Sequence, residues 1–186
     1  QSLRQYPEMI AEESVSIRAV RRVYQELTGK DASSLTPKDI YDIAEGTAEG
    51  DQQAAVRSFN ELGEMAGDAI IRALNIVDGL VVIGGGVAGA VKYILPGIMN
   101  EMNRQIGTFA GASFPCLQME VFNLSEKEAF DKFLKEKDKM VKIPFSEREV
   151  HYACHKKIGI AVSTLGASRA VALGAYSFAL SQLNIL

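Results

Sequence analysis

Residues 80–89 read Leu80-Val81-Val82-Ile83-Gly84-Gly85-Gly86-Val87-Ala88-Gly89. Four apolar residues, rich in β-branched types, predict a short buried strand. Three consecutive glycines then break it, and an apolar, helix-like segment follows. Glycines at the carboxyl end of a strand strip side chains from the main chain. A flat or anionic ligand can then come close to the backbone. The stretch points to nucleotide binding, and its flanks decide which nucleotide fold it belongs to.

Upstream, residues 51–77 predict a long helix. Ala55, Phe59, Leu62, Ala66, Ala69, Ile70, Ala73 and Leu74 form its apolar stripe. Small residues Ala66, Gly67 and Ala69 predict close packing against another element. Further upstream, residues 14–27 carry Val15, Ala19, Val20, Val23 and Leu27 at helical spacing, and Gly29 ends that helix. Thr36-Pro37-Lys38-Asp39 is a helix start: Thr as N-cap, Pro at the first position and an acid in the first turn. That helix reaches about Glu45, with Gly46 and Gly50 marking its end.

Downstream, residues 90–105 predict a helix. Pro96 either kinks it or marks a late start. Residues 116–124 alternate like a half-buried strand. Ser125 to Glu128 opens a helix, with Ser125 as N-cap and Glu128 at N3. Mixed charge over residues 126–139 predicts a salt-bridged, exposed helix. Met140 to Ile143 and Ile158 to Val162 are strand candidates. A last helix of small residues runs over 169–183. Long helices alternating with short strands argue α/β. The strands are too few for a complete doubly wound sheet.

Composition narrows the classes. The chain has 186 residues, 47% hydrophobic and 23% charged, enough for one ordinary domain. Its net charge of −3 gives no electrostatic reason to expect nucleic acid or an anionic membrane as partner. No apolar run approaches the ~20 residues of a membrane span. The two cysteines, Cys116 and Cys154, make no disulfide framework, which suits a reducing cytoplasm. The chain opens at Gln1 on a polar segment with no first strand, and we expect a longer protein around it.

Gly84-Gly85-Gly86-Val87-Ala88-Gly89 also fits G-x-G-x-x-G. The dinucleotide fingerprint requires a strand before it, a helix after it, and an acid about 20 residues on that ends a second strand. The first two conditions hold and the third fails. No Walker sequence is present. The plain alternative is a tight turn that holds no ligand.

The order of parts resembles the second half of the ROK sugar kinases (repressor, open reading frame and kinase). The shared features are the long helix, Asn75, the Leu80–Val87 stretch and a helix with Leu95-Pro96. To these is added the closing Leu165-Gly166-Ala167-Ser168-Arg169-Ala170 and Leu173-Gly174-Ala175-Tyr176. The resemblance covers residues 12–105 and 158–180. Residues 107–157 are longer and more charged than that family usually has and are expected to be a family-atypical insertion. The resemblance implies an actin-like ATPase (ribonuclease H-like) half-domain, a few-stranded sheet with long flanking helices. Residues 1–186 would be the single carboxyl-terminal domain of a larger two-domain protein. Gly84, Gly85, Gly86 and Val87 would carry the nucleotide contact. The full-length protein would be an ATP-dependent hexose kinase, glucokinase-like and cytoplasmic, using ATP with Mg²⁺ and forming a homodimer.

Departures from the family set limits. Its phosphate loop, catalytic Asp and sugar motif lie in the other half, so no catalytic residue is assigned here. The isolated chain is expected to be inactive, because phosphoryl transfer needs a base on the sugar hydroxyl and a metal at the phosphates. Sugar and ATP would be engaged through the missing amino-terminal domain. Residues 10–16 are similar to the end of the family's zinc motif, but its cysteines are absent and no zinc is expected. Glu12 stands where the family's sugar-contacting Glu would be, with Glu13 the competing choice and a solvated acid the plain alternative. His151, Cys154 and His155 would share one helix face, but a fourth ligand is missing and no metal is assigned. Glu61, Glu64 and Asp68 share a helix face, read as solvated. Three other readings remain: the sugar-sensing domain of a ROK transcriptional repressor, the one case with a nucleic-acid partner; a Rossmann-type NAD-binding oxidoreductase fragment; and a non-binding, interaction-type half-domain.

Overall fold

The structure is a computed structural model and describes residues 9–135, 138–153 and 155–183. Four helices make the body. α1 (Ile17–Thr28) starts at Ser16, whose side chain accepts from the Ala19 amide, and stops at Gly29 in the left-handed conformation (φ 66°). α2 (Pro37–Ala44) carries the expected cap: Thr36 and Asp39 form a reciprocal capping box with Pro37 in the first turn. α3 (Gln52–Leu74) is capped by Asp51. α4 (Val91–Met102) has Pro96 in its interior.

α3 and α4 touch backbone to backbone. A Cβ added at Gly63 would stand 2.1 Å from the Ile94 carbonyl oxygen, and one at Gly97 would stand 2.5 Å from the Asn60 oxygen. Gly67 faces Glu101 and Ile98 in the same seam. Of the small residues expected to pack closely, Gly67 does so, while Ala66 and Ala69 are half-buried; Gly63, not singled out in the sequence, makes the tightest approach. The buried stripe differs at its end. It passes through Gly67, Ile71 and Leu74, leaving Ala73 exposed, because a 3.6-residue period carries the seam to Ile71. Asp68 is buried too, which corrects its reading as part of a solvated face. It pairs with Arg72 at 2.9 Å, while Glu61 and Glu64 meet Arg57 at the surface.

Three parallel strands form the main sheet in the order β1 (Val81–Ile83), β7 (Lys157–Val162), β4 (Glu120–Asn123). The central strand is β7, where Ile158 and Ile160 are fully buried. β1 is an edge strand, as is β4, which corrects the expectation of a buried strand at 80–83. Val81 and Ile83 turn toward the helical core, but Leu80 and Val82 are 63% and 62% exposed. Residues 107–157 supply β4 to this sheet and α5 (Lys127–Leu134) beside it. They also supply most of two antiparallel hairpins: β2 (Gln105–Gly107) with β3 (Ser113–Pro115), and β5 (Asp138–Lys142) with β6 (Glu149–Ala153).

Several local expectations change. Gln105 lies in β2, not in the preceding helix. Glu126, not Ser125, precedes α5, and no side chain caps it; the Asn123 side chain instead accepts from the Ser125 amide and donates to Glu126. His151 lies on β6, so the spacing to His155 is not that of a helix face, and Cys154 lies outside the described residues. Among the described residues no group of three His, Cys, Asp or Glu side chains is placed to hold a metal ion. No described helix is long and apolar enough to cross a membrane. The last helix, α6 (Ala167–Gln182), buries none of its residues.

Candidate functional site

The carboxyl ends of three parallel strands share one edge of the sheet, the edge at which open α/β sheets bind ligands. β1 leaves it through Gly84 and Gly85. Gly85 sits at φ 94°, ψ −175°, a region that essentially only glycine enters. The main chain then turns through a short 3-10 helix, Gly86–Ala90, into α4.

Against that turn lies a cleft of about 460 Å³, within the range of small-molecule sites. One wall is the turn itself: Gly86, Val87, Gly89 and Ala90. The opposite wall is the amino-terminal turn of α2, with Thr36, Pro37, Lys38 and then Tyr41. Phe59 of α3 and Ile17 of α1 complete it. A Cβ placed on Gly86 or Gly89 would meet no atom within 4 Å. Glycine at these two positions therefore keeps space open and is not demanded by packing.

The polar side chains of this lining are engaged within the protein. Thr36 Oγ1 lies 2.7 Å from Asp39 Oδ2, and those Thr36 contacts, side chain first and then backbone, hold the Asp39 carboxyl below its ordinary range. Lys38 Nζ donates to both Asp42 oxygens at 2.7 Å, and that hydrogen bond pushes the ammonium's pKa up. What remains is an apolar slot floored by Phe59 and edged by main chain. Such a slot suits a flat heteroaromatic ring better than a phosphate.

Behind the cleft the aromatic rings interlock. Phe59 and Tyr93 stack at 6.2 Å between centroids, and Tyr41 meets each of them edge-on at 6.4 and 6.2 Å. Glu45, at the carboxyl end of α2, accepts from Lys92 Nζ at 2.7 Å and from the Tyr93 hydroxyl at 3.0 Å. Lys92 first, with Tyr93 and Tyr41, holds the Glu45 carboxyl below its ordinary range, and Glu45 in turn pushes the Tyr41 phenol up.

The sequence-predicted residues divide. Gly86 and Val87 line the cleft. Gly84 and Gly85 lead into it from β1. Glu12 lies in a short 3-10 helix, Ala11–Glu13, ion-paired with Arg18 at 3.1 Å, and is not part of this lining. Sequence reasoning missed Ile17, Lys38, Tyr41 and Phe59 as lining. Thr36 and Pro37 were read only as a helix start, and nothing in that signal said what the helix start would face.

The chain is similar to a glucokinase. The crystal structure of glucokinase from Parabacteroides distasonis superposes with a TM-score of 0.81 at 48% sequence identity, over 95% of this chain. The match takes in 47% of that glucokinase, so the chain spans about half its length. No protein-family model and no curated protein matches the chain. The mixed α/β fold with a small sheet is thus that of half a glucokinase.

Proposed function

We propose that the chain is the carboxyl-terminal, nucleotide-side half of an ATP-dependent hexose kinase of glucokinase type, with an actin-like (ribonuclease H-like) fold. One observation carries the reading: the apolar cleft against Gly86 and Val87, in a chain 48% identical to half of a glucokinase. The adenosine of ATP would occupy this cleft, with the open space at Gly86 and Gly89 admitting it close to the main chain. The γ-phosphate would pass to a sugar hydroxyl held with the complementary half. That half would supply the base and the Mg²⁺ ligands, since the described residues gather no metal-binding group.

α6 supports the half-enzyme reading. Its sixteen residues include one charge, Arg169, and helices apolar all round belong in a core. Val171, Tyr176 and Phe178 are nevertheless 73%, 73% and 67% exposed, and Val82 on the edge strand β1 is uncovered as well. A complementary half-domain would bury both. The reading extends to a cytoplasmic homodimer, on the cysteine usage and the resemblance, and to Glu12 as a sugar contact.

Calorimetry of the purified chain with ATP and with NAD tests the reading. ATP is expected to bind and NAD not to. Gly86→Ala is expected to keep the fold, because its Cβ meets no other part of the fold within 4 Å, and to weaken ATP by at least roughly tenfold, because Gly86 lines the cleft. Failure of ATP to bind, or tighter binding of NAD, overturns the reading. Glucose phosphorylation by these residues alone would overturn the assignment of catalysis to the other half.

A further inference from the structure

The two walls of the cleft are far apart in sequence. α2 brings Lys38 and Tyr41 to one side, and the turn before α4 brings Val87 and Ala90 to the other. Behind the cleft one carboxylate at the end of α2 gathers two side chains of α4. Glu45 receives Lys92 Nζ at 2.6 Å on Oε1 and 2.7 Å on Oε2, and the Tyr93 hydroxyl at 3.0 Å. The same hydroxyl stands 3.1 Å from the Ala44 carbonyl oxygen, so its proton is shared between two acceptors at the end of α2. Lys92 Nζ also lies 4.9 Å from the Tyr93 ring centroid, which holds the ammonium over the aromatic face.

We infer that Glu45 is a positioning residue for the nucleotide cleft, setting the gap between Tyr41 on α2 and Val87–Ala90 by tying α2 to Lys92 and Tyr93 at the start of α4. The inference rests on the nucleotide reading of the cleft. Stability alone gives little reason for this cluster. Lys92 is 53% exposed and Glu45 25%, and ion pairs this open to solvent contribute little to folding. The aromatic contacts of Tyr41, Phe59 and Tyr93 already hold α2, α3 and α4 together. What the carboxylate adds is distance and direction, and a binding site loses affinity when its walls are loosely held. Glu45 reaches its partners across 47 residues of sequence, so it fixes a relation that the chain's connectivity does not.

ATP titration of the wild type, Glu45→Gln, Lys92→Met, Lys92→Arg and the double variant Glu45→Gln/Lys92→Met tests the inference. Each is measured well below its melting temperature. Glu45→Gln and Lys92→Met are expected to weaken ATP by roughly tenfold each. The double variant is expected to be no weaker than either single one, and Lys92→Arg to stay within about threefold of wild type. A merely structural role would lower the melting temperature and leave the Kd of the folded protein unchanged. Wild-type affinity in Glu45→Gln and Lys92→Met overturns the positioning role while leaving the nucleotide reading intact. Absence of ATP binding by the wild type overturns the nucleotide reading itself, and the positioning role falls with it. Lys92 is a surface residue, so Lys92→Met keeps the test readable even where Glu45→Gln folds poorly.

Discussion

α3 and α6 are both rich in small residues, and they end in opposite situations. In α3, Gly63 and Gly67 let α4 approach until main chain meets main chain, and Phe59, Leu62 and Ile71 are buried around that seam. In α6, a Cβ added at Gly174 would meet no other part of the fold within 4 Å, and no residue is buried. A small apolar residue is thus a capacity for contact, and whether the contact forms depends on what stands opposite. α3 finds α4 within this chain. The proposed partner of α6 is another half-domain.

The largest expected effect breaks the packed side of that contrast. Gly63→Ala places a Cβ 2.1 Å from the Ile94 oxygen, so α3 and α4 must separate. A loss of about 3 kcal/mol is expected in urea unfolding, since backbone cannot rotate out of the way. An unfolding midpoint like that of the wild type would mean that the seam is not tight.

A second test uses pH, where the packed side depends on charge. Lys92 and the tyrosines hold Glu45 below the ordinary carboxylate range, so its contribution to folding, small for a pair this open to solvent, is present at neutral pH. It is lost as pH falls through that lowered folded value. Lys92, raised chiefly by Glu45, keeps its side of the pair until pH climbs past its raised value. Urea midpoints taken from neutral to acidic pH should therefore fall less steeply for Glu45→Gln than for wild type. Parallel curves would show that the pair does not couple to folding. Asp39, lowered by Thr36, adds to the acid sensitivity of α2 in both proteins.

The smallest effects belong to α6. Phe178→Ser should move the unfolding midpoint of the chain by no more than about 0.5 kcal/mol, as for an exposed site. Gly174→Ala should raise helicity by circular dichroism, with about 0.5–1 kcal/mol of local gain. A large loss in Phe178→Ser would place α6 in the core and erase the contrast.

The same division explains what the sequence made legible. Thr36, Pro37 and Asp39 fixed the start of α2 because a cap is a contract among adjacent residues. Gly29 ended α1 for the same reason, through its own φ. The apolar run 158–162 correctly marked a strand, now the buried center of the sheet. Residues 80–83 carried an equally apolar run and became an edge, because strand order is settled by partners distant in sequence. Asp68 looked solvated until Arg72 and Arg104 gathered around it. His151 was read on a helix, yet its strand exists only by pairing with β5. At the cleft, glycines announced one wall. The other came from α2, about 50 residues earlier, and no local signal links Tyr41 to Val87.

One hydrogen bond at the sheet's edge ties both halves of the contrast together. The Ser163 amide, just past β7, donates to the Ile83 carbonyl at 2.8 Å, and Ser163 Cβ is the nearest neighbour that a side chain on Gly84 would meet. The strand exits toward the cleft and toward α6 therefore share a pivot. The main chain that opens onto the cleft and the main chain that leads to α6 are thus in register at their first step beyond the sheet, although one ends in a packed helix and the other in an uncovered one.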